Sequence, residues 1–469
     1  MNYDIIVIGA GSGGLNVAMF MNKAGFKVLL IDKSDKSIGG DCLNTGCVPS
    51  KALIHASRLV HEGKSSERFG LKLTGNIDLA KVMNYVKSKQ NIIRKHENAA
   101  YFRSLGISVE LGKAKFVNKN SVSVNNKVYS AKKIILATGS RPRKLNIPGI
   151  EKVNYHTNET IFGVKKLPKK MVIIGGGPIG IELGQAFNSL GTKVTIVDTN
   201  NKFLPKETEE ISDVLLKRLK KEGMTFLFNT KPVRFLSSNN LIVETKNKKG
   251  RLEFDLILIS IGRSLNIENL SIEKAGIETD ETGYKLKVDN YLRTTNKNVL
   301  VCGDVAGSYQ FTHAAEMHAG ILLNNFFSPF KKKITYDNLS WVTYTSPEIA
   351  TFGLNEKTLI ERKIKYERLE LKFDDDDRAI IDETTNGKLI LFVAKNKILG
   401  GSMIAENAGE LFQELLLAKT ARVNIKNLFK KTYPYPTASR VNKKIISNHF
   451  SKKLTFFVKS LLKFLYKIF

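Results

Sequence analysis

Cys42 and Cys47 stand five positions apart in the segment GGDCLNTGCVPSK, residues 39 to 51, and the third cysteine, Cys302, lies far along the chain. Two thiols at this spacing, in a glycine-punctuated stretch running into a helix-like one, read as a redox-active pair. The other readings are a structural disulfide, a zinc half-site, or two unrelated core cysteines. Zinc is poorly served, because it asks for closer pairs and four ligands. A structural disulfide is disfavoured, because the sequence enters an apolar strand at once with no secretory signal, which points to a reducing compartment. In a regular helix, residues five apart have Cα atoms about 8 Å apart, beyond the roughly 7 Å a disulfide spans. The segment must therefore break its helix. Asn44 and Gly46 allow that turn, and Pro49 suits the first turn of a helix continued by Ser50, Lys51 and Ala52. A helix N-terminus beside Cys47, with Lys51 one turn on, would favour the thiolate.

The elements that must hold this pair are legible on either side of it. The chain has 469 residues, enough for about three domains, with no long Ser/Gly or Pro linker. YDIIVIGAGSGG, 3 to 14, runs an apolar strand into Gly9, Gly11 and Gly14, and KVLLID then ends at Asp32. KMVIIGGGPIG, 170 to 180, repeats the pattern with Gly175, Gly177 and Gly180, and KVTIVD ends at Asp198. In both, the acid follows the third glycine at the same distance. Each segment reads as a βαβ dinucleotide fold: the glycines admit a pyrophosphate, the helix N-terminus favours its charge, and the acid accepts a ribose hydroxyl. At the second fold, Asp198 would accept the 2'-hydroxyl of NADH and repel the 2'-phosphate of NADPH. NADH is favoured, and Lys202, four residues on, speaks for NADPH.

With these motifs the sequence resembles the pyridine nucleotide-disulfide oxidoreductases of the dihydrolipoamide dehydrogenase, glutathione reductase and mercuric reductase type, over roughly residues 3 to 440. ILATGSRP (135 to 142), DLILISIGRSLN (255 to 266), VLVCGDVAG (299 to 307) and YTSPEIATFGL (344 to 354) carry the resemblance further. It implies an α/β fold with two Rossmann-like dinucleotide-binding domains and a C-terminal α+β dimerisation domain. The implied domains are an FAD-binding one (1–150), an NAD(P)-binding one (151–267), a central one completing the FAD site (268–335) and a dimerisation domain (336–450), followed by a tail (451–469). It implies that Cys42 and Cys47 form the redox disulfide, with Cys47 facing the flavin and Cys42 the acceptor. Lys51 and Glu182 would be the ion pair by the reactive nitrogen of the flavin, where a cation stabilises added negative charge. Asp32 with the first glycine turn would hold the adenosine half, Thr138, Gly139 and Ser140 would line the cofactor, and Asp304 would bond the ribityl chain. Lys33, Gly40, Gly262 and Arg263 complete the cofactor-contacting set, and no metal site is expected.

The C-terminal part departs from disulfide reductases of this family, which carry His-Pro-Thr-x-x-Glu and use the His as acid and base for the interchange thiol. Here YPYPTASR, 433 to 440, places Tyr435 at the His position and Arg440 at the Glu position. A phenol titrating near pH 10 is a poor base at neutral pH. Tyrosine at this place resembles the mercuric reductase branch, whose acceptor is a metal ion. The first fold starts at Tyr3, so a preceding metal-binding domain is not expected, nor is a C-terminal cysteine pair. The expected function is electron transfer from NADH through FAD and the Cys42/Cys47 pair to a small molecule or metal ion. A dihydrolipoamide dehydrogenase and a membrane-associated redox-sensing flavoprotein without sustained turnover stand as alternatives. His313 and His318 read as packing or surface residues, with proton supply near the flavin as the alternative. Cys302 reads as a core thiol.

The formal charge of +30 raises nucleic-acid binding, but the lysines are scattered, without an aromatic platform or binding motif, and read as solvated faces. The exception is SKKLTFFVKSLLKFLYKIF, 451 to 469. At about 100° per residue, Leu454, Phe457, Val458, Leu461, Phe464, Leu465 and Ile468 form one face, and Lys452, Lys459, Lys463 and Lys467 another. The lysines rule against a membrane span. A helix packed on the homodimer and a basic anchor on an anionic membrane are the two readings, the second favoured. It would bring a lipid-soluble acceptor such as a quinone within reach. The expected location is cytoplasmic, with peripheral contact at the inner face of the cell membrane on the second reading.

Overall fold

Residues 2–469 are described by a computed structural model. The chain divides into two units, Met1–Thr199 with Met224–Ile334, and Asn200–Gly223 with Thr335–Phe469.

In the first unit, the strands Asn2–Ile8, Val28–Asp32 and Lys127–Leu136 pair in parallel, with Asn2–Ile8 between the other two. Ser108–Leu111 extends the sheet beyond Val28–Asp32, and Val299–Val301 lies parallel to Lys127–Leu136. Ile5, Ile6, Val7, Leu29, Leu30 and Ile135 are at most 1% exposed, as continuous apolar runs in a doubly covered parallel sheet should be. The helix Ser12–Lys23 crosses between the first two strands and buries Leu15, Val17 and Ala18. A second parallel sheet has Thr225–Leu227, Lys193–Val197, Lys170–Ile174 and Leu256–Ile259 in that order. Its crossover helix, Pro178–Ser189, starts on proline at the position where a missing N–H costs nothing. The two expected βαβ folds are thus both present, each with a helix opening directly from its glycine turn.

The second unit is built on a five-stranded antiparallel sheet ordered Ser340–Thr343, Glu348–Gly353, Lys397–Ala405, Lys388–Ala394, Glu367–Lys372. Lys388–Ala394 lies inside the sheet and is buried through Leu389–Val393, whereas the edge strand Glu367–Lys372 buries Leu369 and Leu371 between exposed Glu367, Glu370 and Lys372. The helix Arg440–Ser451 adds Val441, Ile445 and Ile446 to the same core. Asn200–Gly223 belongs to this unit although it follows the second dinucleotide fold in sequence. A reason is visible at Glu207, whose buried carboxylate accepts from the Trp341 indole and the Thr351 hydroxyl, each at 2.6 Å. Burial holds its pKa above the usual carboxylate range, against those two hydrogen bonds.

Candidate redox-active site

The cysteine segment breaks its helix as the reach of a disulfide requires. Cys42 lies in the short helix Gly40–Asn44, and Cys47 opens the helix Cys47–Ser65. Between them, a Cβ on Gly46 would come within 2.8 Å of the Asp41 carbonyl oxygen, so only glycine fits the turn. The break is pinned by side-chain amides. Asn44 Nδ2 donates to the carbonyls of Gly40 (2.8 Å) and Ile38 (3.1 Å), Gln90 Nε2 to those of Leu43 and Asn44 (2.9 Å each), and Asn158 Nδ2 to Thr45 (3.1 Å). Arg94 holds the Asn44 side-chain oxygen. Of these clamping residues the sequence pointed only to Asn44; Gln90, Arg94 and Asn158 were not found from it.

The two thiols share a hydrogen bond, and they are not equivalent. Donation from Cys42 lowers the Cys47 pKa from 9.0 to about 6, with help from the Thr312 hydroxyl and the Lys51 charge, against partial desolvation and Glu182. The same bond, together with burial and the neighbouring thiolate, pushes Cys42 well above the ordinary thiol range. The reduced pair therefore holds one proton on Cys42 and the negative charge on Cys47. Thr312, 3.5 Å from Cys47 Sγ, opens the helix Thr312–Phe327. It stands beside His313 in the motif FTHAAE and was passed over for the histidines. Lys51 Nζ reaches Glu182 Oε2 at 2.9 Å, and Glu182 is buried on Pro178–Ser189, so the second dinucleotide fold supplies the counter-charge for the lysine beside the thiols.

The glycine turns suit dinucleotides by their geometry. Gly9 and Gly175 have φ of +107° and +104°, and a Cβ on them would run into the carbonyl oxygens of Ala137 and Ser260. Gly14 and Gly180 press against the carbonyls of Gly9 and Gly175 in the same way. Ala10 N–H donates to Asp32 at 2.7 Å and Gly176 N–H to Asp198 at 2.6 Å, so each acid braces its own turn. Ser12–Lys23 and Pro178–Ser189 both lack a side-chain N-cap, which leaves first-turn N–H groups to an anion. A Cβ on Gly177 would meet nothing within 4 Å, and a phosphate can approach there. The residues present fit FAD and a nicotinamide nucleotide.

Ser140, Arg263 and Asp304 come together. The Ser140 hydroxyl donates to Asp304 at 2.5 Å and accepts from Arg263 Nε at 2.6 Å. Burial raises the Asp304 pKa, against the Ser140 bond and the Arg263 charge. Asp41, unrecognised from sequence although it adjoins Cys42, completes the cluster by pairing with Arg263. Thr138 turns its hydroxyl to the Asn266 carbonyl at 2.7 Å, while the Cβ positions of Gly139 and Gly262 meet nothing within 4 Å. Gly40 faces Gly11 across a gap that a Cβ would close to 2.8 Å, and Lys33 is exposed. Cys302 is a core thiol raised to about 12 by burial. His318 is also buried, accepts the Gly303 N–H on Nδ1 at 3.1 Å and is lowered to about 4 by desolvation, so it packs as a neutral ring. His313 stacks on Phe311.

In the second unit, Tyr435 is 66% exposed, and its hydroxyl donates to Asp377 Oδ2 at 3.2 Å. The Arg440 guanidinium lies 5.2 Å from its ring centroid. The Asp377 bond raises the phenol pKa further, so this side chain is no base at neutral pH.

The chain matches the pyridine nucleotide-disulphide oxidoreductase family over residues 3–319 and the dimerisation domain of that family over 339–445. It is 33% identical to a mercuric reductase of Bacillus cereus, over 93% of this chain and 70% of that one. It is 31% identical to a dihydrolipoyl dehydrogenase of Chlamydia trachomatis, over 94% and 95% of the two chains. Among solved structures, the Cu(II) complex of the HOCl-induced flavoprotein disulfide reductase RclA from Escherichia coli superposes with a TM-score of 0.84 at 26% identity, covering 95% of this chain and 99% of that one. The chain belongs to the pyridine nucleotide-disulphide oxidoreductases, enzymes that bind FAD and use NAD(P)H, and it carries their dimerisation domain.

Proposed function

We propose that this protein takes electrons from NADH and delivers them through Cys42 and Cys47 to a small acceptor, in the first place a thiophilic metal ion. The observation that carries this reading is Tyr435, standing where a dithiol-exchanging relative needs an imidazole, with its phenol pKa raised by Asp377. Cys42 is itself hard to deprotonate. Attack on a disulfide substrate needs the Cys42 thiolate and hence a base. A soft metal ion needs none, because ligation itself displaces the thiol proton.

Bound FAD would supply the two-electron carrier between nicotinamide and thiols. The residues of the chain do the rest. Cys47 holds the thiolate, steadied by Cys42, Thr312 and Lys51, and Glu182 fixes the lysine. Asp32 and the Gly9–Gly14 turn take the adenosine half of FAD, with Lys33 and Gly40 beside them. Thr138, Gly139, Ser140, Asp304, Gly262 and Arg263 line the remainder. The Gly175–Gly180 turn and Asp198 take NADH, and Lys202, the residue that speaks for NADPH, is paired with Glu209 at 2.7 Å. When the thiols pass two electrons to Hg²⁺ or to two Cu²⁺, an S–S bond forms and the Cys42 proton leaves to solvent.

The test is an acceptor screen of the FAD-loaded dimer at fixed NADH with Hg²⁺, Cu²⁺, lipoamide, glutathione disulfide, quinones and oxygen. Metal-ion turnover that Cys42→Ser abolishes is expected. Lipoamide turnover exceeding that of every metal ion would replace this reading with a dihydrolipoyl dehydrogenase, which the 31% identity to one favours.

A further inference from the structure

The helix Phe456–Ile468 buries none of its residues, although it is mostly apolar. The preceding helix, Arg440–Ser451, does pack into the core of the second unit, so chain folding changes character near Lys452. The match to the dimerisation domain ends at residue 445, before this helix begins. Thr455 caps the helix through the Val458 N–H at 3.4 Å.

Its faces are sorted. At about 100° per residue, Phe457, Leu461, Phe464, Leu465 and Ile468 share an arc, and Phe457, Phe464 and Ile468 are 75%, 60% and 58% exposed. Lys459, Lys463 and Lys467 lie on the opposite side, which they share with Phe456, Leu462 and Tyr466, and no acidic residue occurs between 451 and 469. Its 13 residues extend only about 20 Å, short of the roughly 30 Å hydrocarbon core, and among the described residues no helix is long and apolar enough to cross a membrane. Pairing the apolar arcs of two copies would set lysines along both flanks of the seam without a compensating acid.

We propose that Phe456–Ile468 lies in the plane of an anionic lipid bilayer, its aromatic and aliphatic face buried among the acyl chains and its lysines on the headgroups. The occupant is named by charge: the charged side chains of the helix are all cations, which an anionic surface neutralises and a zwitterionic one does not. The inference is independent of the electron acceptor.

Flotation of the FAD-loaded dimer with phosphatidylcholine vesicles, with and without phosphatidylglycerol, tests it. At least about tenfold more protein should float on the anionic vesicles, and high salt should reduce the difference. A chain ending at Phe450, and the double variant Leu461→Glu/Leu465→Glu, should lose binding while keeping NADH-dependent flavin reduction. Lys459→Gln/Lys463→Gln/Lys467→Gln should lose the anionic preference. Equal flotation of the intact and shortened chains, or none by the intact protein, overturns the proposal. So does light scattering that finds the intact chain dimeric and the shortened one monomeric, since the helix would then cover a second copy.

Discussion

The two glycine turns of the first unit share a design and differ in what surrounds them. In both, the first glycine has positive φ, the third packs on the first, and an acid accepts a turn N–H. At the first turn, however, Gly11 faces the backbone of Gly40, and Asp32 also accepts the Ser37 hydroxyl at 2.5 Å. That turn is roofed by the segment leading to Cys42. At the second, the place a Gly177 side chain would take meets no protein atom. One motif thus makes an enclosed site, suited to a retained cofactor, and an open one, suited to a nucleotide that comes and goes. Neighbouring chain, not the motif, sets the difference.

The harshest way to break this comparison is to fill the third glycine of each turn. Gly14→Val should leave a chain with more than about tenfold lower flavin content, read from the ratio of flavin to protein absorbance. Gly180→Val should keep its flavin and lose about a hundredfold in the rate of reduction by NADH, read by stopped flow. Flavin loss in both would mean that the turns are not separable. Gly177→Ala is milder: with open space around the new methyl, stability should change by less than about 0.5 kcal/mol, while the KM for NADH rises about tenfold. Asp198→Asn should narrow the preference for NADH over NADPH by about tenfold in kcat/KM, and the matching Asp32→Asn should not move it.

The smallest effect sharpens the comparison where the two folds meet, at Lys51 and Glu182. Cys47 has a depressed pKa, so its thiolate is present above about pH 6 and is lost as pH falls through that value. Iodoacetamide labelling of the reduced protein should follow this titration. Lys51→Met should move the midpoint up and Glu182→Gln should move it down, because the lysine lowers and the glutamate raises the Cys47 pKa. Shifts in the same direction would show that the pair acts on the thiol by packing and not by charge.

Much of the first unit was legible because its signals are local. Apolar runs, glycine spacing and a terminal acid each act within about thirty residues, and a strand buried on both faces must read as continuous hydrophobic sequence. The break between Cys42 and Cys47 followed from helix geometry alone. Gln90, Arg94, Asn158 and Thr312 were not legible, because each acts on the cysteine segment from a distant element, and nothing in a polar residue on a helix announces which carbonyl it will meet. Asp41 adjoins Cys42 in sequence, but its partner, Arg263, lies more than two hundred positions away. Glu207 is the same case in the second unit: its hydrogen-bond donors, Trp341 and Thr351, lie more than a hundred positions away.

By itself the sequence determined the two dinucleotide folds, the paired thiols, the tyrosine at the histidine position and the two-faced tail, since residue type and spacing along the chain suffice for each. Lys51, one turn past Cys47, already favours the thiolate there, but only the tertiary structure supplies the Cys42 hydrogen bond and the Thr312 hydroxyl that fix the charge on it. Cys42 and Cys47 are the same residue type with the same intrinsic pKa, and only the hydrogen bond between them, the Thr312 hydroxyl, the Lys51 ammonium and the unequal environments separate them. A proton distribution depends on distances in space, and those exist only once the chain has folded.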